Sequence, residues 1–179
     1  TILIVKSMTD RLATSSGVAF HLGTPDPEMR RIASWLFTVS KNDYPLLLKL
    51  AKAAWKRHGR EDMRLAGLIL ANINPGYLKE GVWSILAEML QKTEPLEALL
   101  ESIEELARAG HQIPSDDELE KFCYGPEILH HFAFLILVVC CRREGRELSE
   151  TQKKIVEDRP SSTETMDRLA AMILDEASQ

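Results

Sequence analysis

The chain has 179 residues, 45% hydrophobic and 27% charged, which is enough for one domain with a core and too apolar for a disordered segment. A formal net charge of −5 gives no general electrostatic reason to bind nucleic acid or a membrane surface. Leu, Ala, Glu, Lys, Arg and Met dominate while Val, Thr and aromatic residues are few, the balance of an all-α protein.

In chain order, residues 1–24 read as a partly irregular N-terminal segment, and "TILIV" is too short and lacks the basic residues of a targeting signal. "TPDPE" (24–28) offers Thr24 and Asp26 as caps with Pro27 in a first turn, and predicts a helix over 27–40. Asp43 and Pro45 open a second helix that runs through Lys56, Arg57 and His58 and is expected to end on Gly59 as its left-handed residue. A third begins near Glu61 and ends at "NINPG". Pro75 then opens a fourth, containing Trp83 and Leu86.

"TEPLEALLESIEELARAG" (93–110) is a fifth helix, closed by a glycine. Capping-box pairs Ser115/Glu118, Ser149/Gln152 and Ser161/Glu164 announce helices near 115–124, 149–158 and 162–177. Between the first two lies the most apolar helix, 127–142, expected to be the core helix or a dimer contact. Its run "FAFLILVVCC" is about ten residues, short of the roughly 20 needed to span a bilayer. Trp35, Trp55 and Trp83 fit helix packing. Cys123, Cys140 and Cys141 read as unbridged thiols of a cytoplasmic protein.

"DPEMRRIASWL" (26–36) has an echo in "EDMRLAGLIL" (61–70), each placing an acid, Met and Arg ahead of Ala33 or Ala66. Ala98 and Ala133 continue the series at similar spacing, about two helices plus two turns. A small residue once per helix pair lets stacked backbones approach. The expectation is a single domain over 1–179, folded as a HEAT-like α-solenoid of antiparallel helix pairs, with a globular helical bundle as the alternative.

The segments "FHLGTPDPEMRRIASWL" and "LLKLAKAAWKRHGREDMRLAGLIL" lie within residues 17–73. That stretch resembles the N-terminal half of the DNA alkylation repair family, the alkylpurine DNA glycosylases built from HEAT-like repeats. The resemblance implies that fold, and an activity in which a Trp-Asp-x-x-Asp run sets an aromatic and a carboxylate against the modified nucleotide. Negative charge there stabilises the cationic sugar of the transition state. The nearest stretch is "SDDELEKFC" (115–123), with Asp117 and Glu120 at the two acidic positions and Asp116 where the Trp would stand.

Charge is unevenly spread along the chain. Residues 28–64 carry nine Lys/Arg and four Asp/Glu, while 91–127 carry three and ten, so a positive end and a negative middle are expected. Lys49, Lys52, Lys56, Arg57, Arg60 and Arg64 form the candidate surface for a nucleic-acid or protein partner. His130 and His131 are adjacent and cannot face one metal from a regular helix, so neither a metal nor a cofactor is expected. The reading is a non-catalytic helical-repeat binding module for a protein or DNA partner, not a membrane protein, with oligomerisation open. The alternative is a divergent DNA glycosylase acting through Glu120 or Asp117.

Overall fold

The computed structural model describes residues 17–145, 147–160 and 164–176, the side chains at 165, 175 and 176 excepted. The described residues are all-helical, with no strand among them and one isolated bridge between Phe20 and Gly59. The chain divides into two compact units, residues 1–111 and 112–179. The predicted Ser161/Glu164 capping box and most of segment 1–24 lie outside the described residues, whereas 17–24 carry no helix.

The first unit holds α1 (Asp26–Val39), α2 (Tyr44–Lys56), α3 (Arg60–Asn72), α4 (Val82–Met89) and α5 (Leu96–Arg108). Asp43 caps α2 as predicted, accepting a hydrogen bond from the Leu46 amide. The helix ends differently from expectation. His58, not Gly59, takes the left-handed conformation (φ 57°), and Gly59 is the extended residue preceding α3. Glycine is needed at 59 for space, because a Cβ there would stand 2.2 Å from Cζ of Phe20.

Pro75 opens only a 3-10 turn, Pro75–Tyr77, and α4 starts after Gly81, whose φ of 76° interrupts the helical path. Gly110, with φ 87°, follows α5 as the sequence suggests. Within this unit α1 packs on α3, α3 on α5, and α2 on both α3 and α4. Leu47, Trp55, Met63, Ile69, Leu70, Leu86, Leu99, Ile103 and Leu106 form its buried centre.

The second unit holds α6 (Asp116–Cys123), α7 (Glu127–Glu144), α8 (Glu150–Glu157) and α9 (Glu164–Glu176). Two of the three predicted capping boxes in it are formed, Ser115 with Glu118 and Ser149 with Gln152. The apolar helix is buried: Phe132 through Val138 are all covered, and so are Cys140 and Cys141. None of the three cysteines is in a disulfide, and Cys123 is half-buried. No helix among the described residues is long and apolar enough to cross a membrane.

Candidate functional site

The repeated Met-Arg pair resolves into a charge hub. Met29 and Met63 are buried, and the arginines that follow them converge on one carboxylate, Glu105 of α5. Arg30 donates to both Glu105 oxygens, at 2.9 and 2.7 Å, and its Nε to Asp26 at 2.7 Å. Arg64 donates to Asp26 at 2.8 and 2.6 Å and to Glu105 at 3.0 Å. Arg108 adds a longer contact of 3.4 Å. Burial pushes the Glu105 carboxyl up, but the hydrogen bonds from Arg30 and Arg64 outweigh it, and the net shift is below the usual carboxylate range. Asp26 is lowered by the same balance.

A second carboxylate hub lies at the start of α3. Glu61 is buried and accepts three backbone hydrogen bonds, from Leu22 at 2.9 Å, Gly23 at 2.8 Å and Thr24 at 3.1 Å. Burial raises its carboxyl and these amides more than compensate, so it too is lowered. At the end of α2, the fully covered carboxylate of Glu94 accepts from Trp55 Nε1 (3.1 Å) and the Gln91 amide (2.6 Å) and meets His58 Nε2 at 2.8 Å.

These pairings change the reading of the candidate basic surface. Arg64 is buried in the hub, and Arg60 reaches Glu101 at 3.4 Å. Arg57 Nε sits 2.9 Å from Asp62 Oδ2, an ion pair without hydrogen-bond alignment, and Lys52 pairs with Glu88 at 3.0 Å. Lys49 and Lys56 are exposed on α2. The expected separation of a positive from a negative stretch is therefore corrected within this unit: folding brings the acids at 94, 101 and 105 onto basic partners. The partners are 36 to 75 residues apart in sequence, beyond the reach of a local charge count.

What sequence reasoning missed is on the outer face of α1. Ile32, Trp35 and Val39 are 40, 60 and 52% exposed, and their spacing of i, i+3 and i+7 puts them on one helical face. Trp35 was expected to pack inside; only Trp55 and Trp83 do. The available signal was the double patterning of α1, in which Met29 and Ala33 mark one apolar face and these three residues a second. Leu46, in the first turn of α2, is a further large apolar residue at 54% exposure.

In the second unit, Glu120 lines a cavity of about 220 Å³ with Cys123, Tyr124, His130, Thr151, Lys154, Ile155 and Asp158. Burial, then the charges of Glu120 and Asp158, push the Cys123 thiol up to about 11, so it is neutral near pH 7 and a poor nucleophile. His130 Nε2 lies 3.0 Å from the Ile155 carbonyl. Asp117 is exposed. Asp116, at the position where the resemblance would have a Trp, joins α6 to α8 by accepting from Ser149 at 2.8 Å and Gln152 at 2.7 Å. Among the described residues no group of three or more His, Cys, Asp or Glu could hold a metal ion. Comparison with protein-family models, with curated proteins and with solved structures found no match.

Proposed function

We propose that this chain is a HEAT-like helical-repeat binding module, non-catalytic, that docks a protein partner on the outer face of α1. The observation that carries this reading is the exposed stripe Ile32, Trp35 and Val39. Single exposed apolar residues are ordinary, whereas a Trp flanked by two aliphatic residues on one helical face is the composition of a docking anchor. The neighbour pattern α1–α3–α5 and α2–α4, each helix beside the next but one, supports a helix-pair array in the first unit. Burial of Ala33, Ala66, Ala98 and Ala133 is in keeping with small residues at helix crossings.

A protein partner is preferred to DNA because Lys52, Arg57, Arg60 and Arg64 each already face a carboxylate. The test is a photo-crosslinking residue placed at position 35 in the producing cells. One discrete crosslinked protein, lost when Ile32→Ser and Val39→Ser are added, is the expected result. Crosslinks at 35 that are absent or unaffected by those changes would overturn it.

A second reading, the divergent DNA glycosylase of the alkylation repair family, draws on Glu120 lining a cavity beside Tyr124, an aromatic that is 86% exposed. It expects duplex binding that weakens by about 10³ to 10⁵ between 50 and 200 mM salt if six to ten phosphates are contacted. It also expects base excision that Glu120→Gln abolishes. An absence of duplex binding at low salt retires it.

A further inference from the structure

We propose that α1, with residues 18–24 leading into it, is a charge-latched arm that detaches from α3 and α5 as a unit while the rest of the first unit stays folded. The inference goes beyond the docking role: it concerns how the docking helix is mounted.

The apolar part of the mount is small: Val18 of the lead-in is buried, and Leu36 and Phe37 of α1 are half-buried. Of the fourteen residues of α1 only Met29 and Ala33 are buried, and their cluster is completed by Leu68 with Leu65 packed against it. The joint is also incompletely closed. A cavity of about 230 Å³ runs between α1, α3 and α5, lined by Met29 and otherwise by charged groups, Arg60, Arg64, Glu101, Glu104 and Arg108 among them. By contrast α3 carries eight further buried residues besides Glu61, and α5 buries Leu99, Ile103 and Leu106 at 2% exposure or less.

What holds the arm is ionic and directional. Arg30 on α1 is fixed by Glu105 of α5, Asp26 on α1 by Arg64 of α3, and the lead-in segment by Glu61 of α3. The lead-in adds two backbone hydrogen bonds, from Ala19 to the His58 carbonyl (2.8 Å) and from Arg60 to the Phe20 carbonyl (3.0 Å), and the Arg57 guanidinium lies over the Phe20 ring. Neutralising a latch carboxylate removes these charge-assisted bonds and leaves the buried Arg64 short of a partner, while Arg30, 38% exposed, falls back on water. An apolar contact loses nothing under the same change.

The carboxylates set the direction of the pH response. Asp26 faces Arg30 and Arg64; Glu105 faces Arg30, Arg64 and Arg108; Glu61 faces three amides with His21 beside it. All three are lowered in the folded arm, so their contribution is present above the unfolded carboxylate values and is lost as pH falls through the folded ones. Glu101, facing Arg60 and Arg64, and Asp62, facing Arg57, are raised chiefly by burial and act in the opposite sense. The three latch carboxylates carry the direct bonds to the arm, so acid opens it. An opened arm presents Met29 and Ala33 in addition to its outer stripe, and uncovers Leu65 and Leu68 on α3.

Hydrogen exchange of the full chain, read by mass spectrometry, separates the arm from its support. With Arg30→Gln at pH 7, amides of 28–39 should exchange about tenfold faster or more, as loss of charged hydrogen bonds predicts. Those of α3 and α5 should keep wild-type rates, and Arg31→Gln should change nothing, because among the described residues Arg31 pairs within α1, with Glu28. In the wild-type chain, acidification should release α1 before α3 or α5 after correction for intrinsic exchange, which gives a readout even if the variant fails to fold. Unchanged protection of α1, or its loss only together with α3 and α5, overturns the proposal.

Discussion

Helices α1 and α7 are both rich in large apolar residues, and they are held by opposite means. In α7 the residues from Phe132 to Val138, with Cys140 and Cys141, are all covered, and the helix needs no stripe because every side meets protein. In α1 two residues are covered, three large ones face outward, and the attachment is made by Arg30, Asp26 and their partners. The apolar content of a helix therefore says little about whether it is core. The discriminating quantity is how many of its sides find neighbours, and that depends on other helices.

The sharpest way to break this contrast is to truncate each attachment. Phe134→Ala empties a fully buried position of α7 and should cost about 3–5 kcal/mol in urea unfolding of the second unit, with little dependence on salt. Glu105→Ala should cost the first unit about 3 kcal/mol, the low end for a broken buried pair because the Arg30 side chain is over a third exposed. Repeated in about 1 M salt, that loss should shrink, since screening already weakens the intact pair. If the Phe134 loss shrinks in salt and the Glu105 loss does not, the contrast fails.

The pH profile sharpens it further. Lowered Glu105, Asp26 and Glu61 make the first unit lose stability on the acid side, below the ordinary carboxylate values. His111, lowered by burial despite its contact with the Ala71 carbonyl, adds a loss that begins earlier, as pH falls below the ordinary imidazole value. The second unit instead holds Cys123, pushed from 9.0 up to about 11 by burial and two neighbouring acids. A raised thiol contributes stability below its unfolded value that is lost as pH rises through the folded one. Unfolding at graded pH should then give an acid-sensitive transition for one unit and an alkaline-sensitive one for the other, the latter weakened by Cys123→Ala, with the raised Lys153 left to act in the same sense. The smallest expected effect is at Lys52→Ala: its pair with Glu88 is half exposed on both sides, and removal should change stability by less than about 1 kcal/mol.

The parts of the fold legible in the sequence were those that short stretches decide. Asp43 reaches an amide three residues on, Ser115 and Ser149 form boxes within one turn, and Gly110 closes its own helix. Gly59 carries no local sign of its role, because its reason is Phe20, 39 residues earlier, and His58 takes the left-handed position instead. Pro75 has the sequence signature of a helix start, and Gly81, six residues on with φ 76°, is what stops the 3-10 turn from continuing into α4. Arg64 looked like a binding residue because its partner is 41 residues away, and Trp35 looked like core because tryptophan usually is. The Met-Arg echo was visible from the outset. Its meaning, two arginines sharing Glu105, needed three helices in place.

The Glu61 cradle has a consequence for how this sequence can drift. Its donors are the main-chain amides of Leu22, Gly23 and Thr24, so the side chains at 22 and 24 are not part of the bond. Leu22 is 67% exposed, while Gly23 sits at φ 78°, where a side chain is strained. In diverging copies of this chain, positions 22 and 24 can take many residues but not proline, which has no amide proton to donate. A glycine at 23 and an acid at 61 have to be inherited together.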